Sequence, residues 1–369
     1  MRTIATPGTG VGSDVDRLGT VLLHRPGGEL GAVPDGEPRR ALFAAAPDAE
    51  AARRDHEVLA ALLRERDVEV LHLDALLAEL LDDPAARDAA LAVALGGLPA
   101  GARARVAALP TPVVVRALLE GAPADGLALG ALPNLMYLRD PAVWVGGTVA
   151  PGTMREPSRR REGPLLEAVF RGHPRFAGAV VRPRSRFPVE GGDVVPAGDG
   201  RVLVGISERT DRGGALQLAT WLLSTPEAAV EEVVTVRMPN GAGFHLDLVL
   251  SLIDHDTFAI WAPVHARLRA HRWRRDGEGR VESRALDDAF AGARVIAVDG
   301  DDAAAHRRAW DHGTNLLALA PGVVVAYDDN VRANAALRRA GVEVLEVPGA
   351  HLAAGRGGPR CLSLPVARG

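Results

Sequence analysis

Apolar positions in this chain fall in short runs whose spacing switches between that of strands and that of helices. Thr20 to Gly27 reads as a strand stopped by Pro26-Gly27. From about Pro47 to Arg66, Asp48 stands at a helix N-cap and Leu59, Leu62 and Leu63 share one face, which predicts an amphipathic helix. Val68 to Leu73 is again a strand, so the first seventy residues spell an α/β unit.

From Asp74 to Leu129 the pattern turns alanine- and leucine-rich, with breaks at Gly96-Gly97, Pro99 and Pro110-Thr111-Pro112. It predicts a helical insertion, a subdomain spanning 75–129 within an α/β domain spanning 1–369. The strand rhythm then resumes at 143–145, 179–181, 202–205, 233–236, 248–253, 258–260, 295–298, 316–319, 323–327 and 342–345. Helical patterns fill about 163–170, 213–223 and 330–340. The run Ala336 to Leu345 echoes Leu62 to Leu71, which suggests repeated modules. A closed ring of such modules suits many short strands better than one open sheet.

Composition narrows the function classes. With 47% hydrophobic and 24% charged residues the chain is globular, and a net charge of -4 gives no global attraction to nucleic acid or anionic membrane. No run is long or pure enough to span a bilayer, and the N-terminus lacks the apolar core of a signal peptide. The chain contains no lysine, which removes Schiff-base chemistry and Walker-type phosphate loops. Its one cysteine, Cys361, cannot form an internal disulfide, so a reducing compartment is expected and the cytoplasm is the default.

Cys361 lies behind a glycine-rich stretch between Arg356 and Arg360. Burial as a small hydrophobe is one explanation of a lone cysteine. A nucleophile is the other, since neighbouring arginine charge and backbone amides lower a thiol pKa. Four upstream segments hold charge beside apolar strands: Pro133 to Pro141 ending in Asp140, Glu190-Gly191-Gly192-Asp193, Gly205 to Thr210, and His245-Leu246-Asp247. In the last, a strand period of two would put His245 and Asp247 on one side. Turn, bulge and capping roles account for each segment alone, and His72-Leu73-Asp74 repeats the His-Leu-Asp tripeptide elsewhere. Together they hold a thiol, a histidine, carboxylates and arginines. Carboxylates beside a nucleophile call for a cationic substrate, and arginines for an anionic group on it.

On these segments, with Trp310-Asp311 to Asn315 and Gly355 to Cys361 in the same order, the chain resembles the arginine deiminases of the guanidino-group-modifying superfamily. The likeness runs from about Val11 to the C-terminus. It implies a five-fold pseudo-symmetric α/β propeller of ββαβ-type modules, with the helical insertion that separates arginine deiminases from the smaller hydrolases. It also implies Cys361 as nucleophile, His245 as general acid and base, and Glu190, Asp140 and Asp247 as carboxylates that align the guanidinium. Asn134, Arg159, Arg209 and Arg356 match positions that hold the amino-acid end of arginine. No metal or organic cofactor is implied, and homo-oligomerisation stays open. Two departures are Leu42 to Ala46, where acidic residues are expected after Leu-Phe, and Leu248, where threonine is usual.

Alternatives at this level are another guanidine hydrolase or an amidinotransferase of the superfamily, an arginine-binding sensor, and a cysteine protease. The sensor needs no thiol, and the protease leaves the carboxylate pair unexplained. Zinc is disfavoured because one cysteine and a His-x-Asp pair do not complete a tetrahedral site.

Overall fold

The structure, a computed structural model, describes residues 9–121, 126–127, 129–276, 281–286, 290–298 and 312–369. Its strands form five sheets of mixed sense, with α-helices between their strands in chain order. One connection recurs in all five: an antiparallel pair whose second strand then pairs in parallel with a third. In chain order of the middle strand, Ser363–Arg368 is antiparallel to Leu18–Leu23, which runs parallel to Glu69–His72. Next come Ala142–Val145, Thr148–Pro151 and Val180–Val181. The third set is Val194–Gly198, Arg201–Ile206 and Glu232–Arg237, extended at one edge by the hairpin Arg269–Arg275 and Val281–Leu286. The fourth is Leu250–Asp254, Thr257–Trp261 and Arg294–Val298, and the fifth Leu317–Ala320, Val323–Tyr327 and Glu343–Val347.

A parallel neighbour cannot be reached by a tight turn, so a crossover is needed. Helices Ala49–Glu65, Glu162–Gly172, Arg212–Ser224 and Val331–Arg339 make four of these crossovers. The first begins as its sequence predicts, with the Asp48 carboxylate accepting from the Ala51 amide at 2.9 Å. Leu59 and Leu63 on its inner face are fully buried, each contributing roughly 2 kcal/mol by leaving water. The echo at the other end of the chain is the crossover of the fifth sheet, entering Glu343–Val347 as the first enters Glu69–His72.

Between the first and second sheets lie helices Leu73–Asp82, Pro84–Ala94, Ala100–Ala107 and Thr111–Glu120. Val113 to Val115, which look strand-like alone, belong to the last of these, where Pro112 in the first turn and Gly121 beyond the end set its limits. Leu76, Leu80, Leu91 and Leu118 share one apolar cluster with Trp144, Leu166 and Phe170, so these helices are packed on the second sheet and its crossover. Among the described residues no helix is long and apolar enough to cross a membrane.

Four features escape the sequence pattern. Thr148–Pro151 and Val194–Gly198 each contain or end in a residue that reads as a turn, and Ser363–Arg368 contains Pro365. The Arg269–Arg275 strand is mostly polar because it lies toward the sheet edge, where apolar alternation is not required.

Candidate active site

The candidate residues come from equivalent places. Each of the five antiparallel pairs begins with a strand, and the segment entering that strand carries a polar group inward. Asp140 precedes Ala142–Val145, Glu190 and Asp193 precede Val194–Gly198, and His245 and Asp247 precede Leu250–Asp254. Asn315 precedes Leu317–Ala320, and Cys361 precedes Ser363–Arg368. These segments bond to one another in turn. The Arg139 amide donates to Cys361 O at 3.1 Å and the Gly191 amide to Asp140 O at 2.7 Å. The Leu246 amide donates to Asp193 Oδ1 at 2.8 Å, and Asn315 Nδ2 to Asp247 O at 3.0 Å. The Cys361 amide closes the circuit on Asn315 Oδ1 at 3.0 Å. Residues far apart in sequence are thereby fixed around one point.

His245 is fully buried between two carboxylates. Its Nε2 lies 2.8 Å from Glu190 Oε2, and its Nδ1 lies 3.4 Å from Asp140 Oδ1 without a hydrogen bond. Burial opposes the charged ring, but Asp140, Glu190 and Asp193 outweigh it and hold the imidazole pKa up at about 9. His245 is therefore an imidazolium at neutral pH. The strand predicted here is instead a 3-10 turn, Leu246–Leu248, with His245 at its N-cap and the strand starting at Leu250. A strand period of two is thus not what brings His245 and Asp247 together. The turn leaves the Leu246 amide free to bond Asp193, a bond a strand would divert to a neighbour. Gly192 must lack a side chain, because a Cβ would sit 2.6 Å from His245 Nδ1 and 3.0 Å from Asp140 Oδ1. Gly192→Ala is expected to lower kcat by about 10²-fold through misplacement of the ring, measured by steady-state turnover.

Cys361 lies in the helical turn Pro359–Leu362 and is buried. Its Sγ receives Asn315 Nδ2 at 3.1 Å and lies 3.5 Å from Asp247 Oδ2. The expected cationic setting is corrected here. Burial, then Asp247 and Asp140, push the thiol pKa well above its usual value, and Arg360 opposes them only in part. Arg360 is spent elsewhere: it bonds Asp247 Oδ2 at 2.8 Å and Asp14 Oδ2 at 2.6 Å. The free site thus holds a neutral thiol beside an imidazolium.

A narrow cleft opens onto this centre, lined by residues that include Asn134, Asp140, Arg159, Arg209, Arg356 and Cys361. In the same cleft the guanidinium carbons of Arg209 and Arg356 lie 5.1 and 4.7 Å from the Phe244 ring centroid, and Arg209 Nη1 lies 3.7 Å from Glu190 Oε2. Two cations on one aromatic make a seat for an anion. Burial and then Arg209 push the Arg356 pKa down to about 10. Arg356 itself has φ 73, an uncommon left-handed conformation for a residue other than glycine. The flanking Gly355 and Gly357 lie so close to Tyr137 that a Cβ on either would meet its ring or hydroxyl at 2.4 Å. Asn134 is buried and donates to Ala41 O at 2.8 Å. Arg159 differs from the other arginines: its Nη1 holds Asp140 Oδ2 at 2.7 Å while Nε and Nη2 hold Glu162 at 2.8 to 3.0 Å. Its neighbours Arg160 and Arg161 are not buried.

Asp140, Glu190 and His245 stand close enough to share a metal ion. Their arrangement favours a proton instead. The carboxylates occupy opposite nitrogens of one ring, and the guanidinium of Arg159 already neutralises Asp140. A guanidinium suits the vacant valences better. Asp140 Oδ1 and Asp247 Oδ1 are buried and accept no hydrogen bond among the described residues, while each partner oxygen is held by an arginine.

The motifs named above left three contributors without a role: Asn315, Arg360 and Asp193. Asn315 and Arg360 stand inside quoted motifs, and Asn315 sits two residues before its strand as Asp140 and Cys361 do, so module position marks it. Asp193 ties the His245 turn down through Leu246 and accepts from Ser207 Oγ at 2.7 Å. Asp14 and Glu162 carry no local signal at all. Trp310 and Asp311 lie outside the described residues.

Comparison with known proteins identifies the family. The family model described as arginine deiminase matches residues 39–109 and 124–368. An arginine deiminase of Rhodococcus opacus (strain B4) is 38% identical, with 97% of each chain covered. One of Mycobacterium tuberculosis (strain ATCC 25177 / H37Ra) is 36% identical, with 97% of this chain and 98% of that one covered. Among solved structures, an amidinotransferase of the saxitoxin pathway from Microseira wollei has TM-score 0.59 at 15% identity, with 98% of this chain and 97% of that one covered. DDAH from Pseudomonas aeruginosa, complexed with citrulline, has TM-score 0.57 at 15% identity, with 94% and 99% covered. The structural likenesses establish a shared mixed α/β fold, and the sequence matches over nearly the whole length go further: the chain belongs to the arginine deiminase family.

Proposed function

We propose that the protein is a hydrolase of the guanidino C–N bond that converts L-arginine to L-citrulline and ammonia, with Cys361 as nucleophile and His245 as general acid and base. The observation that carries the mechanism is the pair of unbonded carboxylate oxygens on Asp140 and Asp247, beside Cys361 Sγ and His245 Nδ1. A guanidinium laid between those oxygens presents its carbon to the thiol and one nitrogen to the imidazolium.

Its charge also answers the high thiol pKa. A cation between Asp140 and Asp247 offsets the two carboxylates that disfavour the thiolate, so once substrate is bound the thiol releases its proton to solvent, where it later converts the departing ammonia to ammonium. The thiolate then bonds to the guanidinium carbon. His245 gives its proton to the departing nitrogen, and the C–N bond breaks to leave ammonia and an S-alkylthiouronium on Cys361. The neutral ring next takes a proton from water, whose oxygen attacks the same carbon. The C–S bond breaks, citrulline leaves and the thiol is restored. Glu190, bonded to Nε2, keeps Nδ1 as the nitrogen that exchanges the proton.

Arg209 and Arg356 on Phe244 receive the substrate carboxylate, with Asn134 lining the same cleft. Arg209→Ala and Arg356→Ala are each expected to raise KM for arginine by ~10- to 100-fold. Neither should worsen turnover of decarboxylated arginine, which lacks the group they bind. Parallel kinetics on the two substrates check this.

We read the five sheets as the modules of a five-fold α/β propeller, with 75–129 as its helical insertion and 1–369 as one catalytic unit. The repeated antiparallel-then-parallel order and the circuit of bonds from Arg139 round to Cys361 support that reading. The single free thiol suits a cytoplasmic setting. The test of the activity is direct: purified protein with L-arginine as sole substrate should yield citrulline and ammonium in equal amounts. Turnover of a different guanidine without citrulline from arginine would keep the family and overturn the substrate.

A further inference from the structure

Asp140, which lines the cleft, and Asp247, against Cys361 Sγ, are built alike, and neither stands alone. Asp140 Oδ2 is held by Arg159, whose other side is held by Glu162. Asp247 Oδ2 is held by Arg360 at 2.8 Å, and Arg360 donates to Asp14 Oδ2 from Nε at 3.2 Å and from Nη2 at 2.6 Å. We infer that Glu162 and Asp14 are positioning residues. Each draws its arginine to one oxygen of the gripping aspartate so that the other oxygen stays open for the substrate guanidinium. This rests on the guanidinium reading of the site.

The stoichiometry of donors makes the argument. A guanidinium can bind both oxygens of a carboxylate at once, and a buried arginine beside one carboxylate would take that fork. In this site neither does. Arg159 offers Asp140 one nitrogen, because Nε and Nη2 are committed to Glu162. Arg360 offers Asp247 Nη1 alone, because Nε goes to Asp14 and Nη2 to Asp14 and Val194 O at 2.8 Å. The unbonded oxygens are what remain, Asp140 Oδ1 and Asp247 Oδ1, both buried. Asp14 is further fixed by Arg139 Nη1 at 3.3 Å, and Arg139 Nε in turn donates to Ser363 O at 3.1 Å. A residue near the N-terminus thus sets the acceptor geometry beside a nucleophile 347 residues later, through contacts in which every side chain is buried.

Without its outer carboxylate, each arginine is free to swing onto both oxygens of its aspartate. The substrate would lose an acceptor, and the thiol would face a fully neutralised carboxylate. Asp14→Asn and Glu162→Gln preserve shape and remove charge, with Asp14→Glu and Glu162→Asp as conservative partners. For each folded variant we expect KM for arginine to rise at least tenfold with kcat falling less, and partial recovery in the conservative variant. A second readout does not depend on turnover: the pH midpoint for alkylation of Cys361 by iodoacetamide. Asp247, Asp140 and Arg360 face this thiol, so in Asp14→Asn the midpoint should drop, giving roughly tenfold faster alkylation at a fixed pH below it. If Asp14→Asn destabilises the chain, Glu162→Gln decides through KM and the same alkylation curve. Folded variants with KM within twofold of the parent and an unmoved alkylation midpoint overturn the inference. A parent protein that makes no citrulline overturns the activity instead, and the alkylation curves still decide the positioning role.

Discussion

Cys361→Ala is expected to lower kcat for arginine by at least ~10⁴-fold while leaving the melting temperature within a few degrees of the parent. The two halves of that expectation have separate causes. The loss of rate is large because the remaining groups can bind and polarise a guanidinium but cannot bond to its carbon. A charge spread over three nitrogens makes guanidinium a poor target for water alone. The stability change is small because one sulfur is removed from a site that already disfavours its charged form. Asn315 keeps its bonds to the Asp247 carbonyl and to the amide of residue 361, so the circuit of entry segments survives. Activity assays with a thermal melt on the same preparation check both halves. An alanine variant with more than a hundredth of parental kcat would remove Cys361 from the chemistry.

The second large effect belongs to His245. His245→Gln keeps a polar side chain between Glu190 and Asp140 but cannot carry a proton, and kcat should fall by ~10²- to 10⁴-fold. The parent enzyme should show the same group in its pH profile. The His245 pKa is raised to about 9, so the proton it gives the leaving nitrogen is present below that pH and lost above it. The ratio kcat/KM, which reports the free enzyme, should therefore decline as pH rises through about 9, and at saturating arginine the added positive charge near the ring moves that limb to lower pH. In His245→Gln the limb should disappear. A limb that persists unchanged in the variant would assign it to another group.

Much of this site was legible in the sequence, for a physical reason. The residues that meet the substrate need special backbone around them, and special backbone leaves marks. Gly191-Gly192 lets His245 and Asp140 approach, and Gly355 and Gly357 let the Arg356 loop lie on Tyr137. The alternation of strands and crossovers was legible too, since unbroken apolar runs such as Val323–Tyr327 and the helical period of Ala49–Glu65 both stand out. Less visible was whatever depends on partners distant in the chain. Asp14 looks like a solvent-facing acid until Arg360 and Arg139 are folded against it, and Glu162 looks like a helix N-terminal acid until Arg159 turns inward. The thiol environment is not legible for the same reason: Arg360 points to Asp247 and Asp14 and Arg356 lies over Phe244, so the net field at the sulfur opposes ionisation. The 3-10 turn at Leu246–Leu248 was hidden because its apolar residues also suit a strand.

The central claim is that Cys361 bonds to the guanidinium carbon of arginine while His245 manages the proton. Rapid acid quenching during turnover of L-arginine, followed by mass spectrometry of the peptide containing Cys361, tests it most directly. The account predicts a peptide heavier by arginine less ammonia, present during turnover, absent once substrate is consumed and absent in Cys361→Ala. Citrulline formed at the normal rate with Cys361 unmodified at every quench time would contradict it.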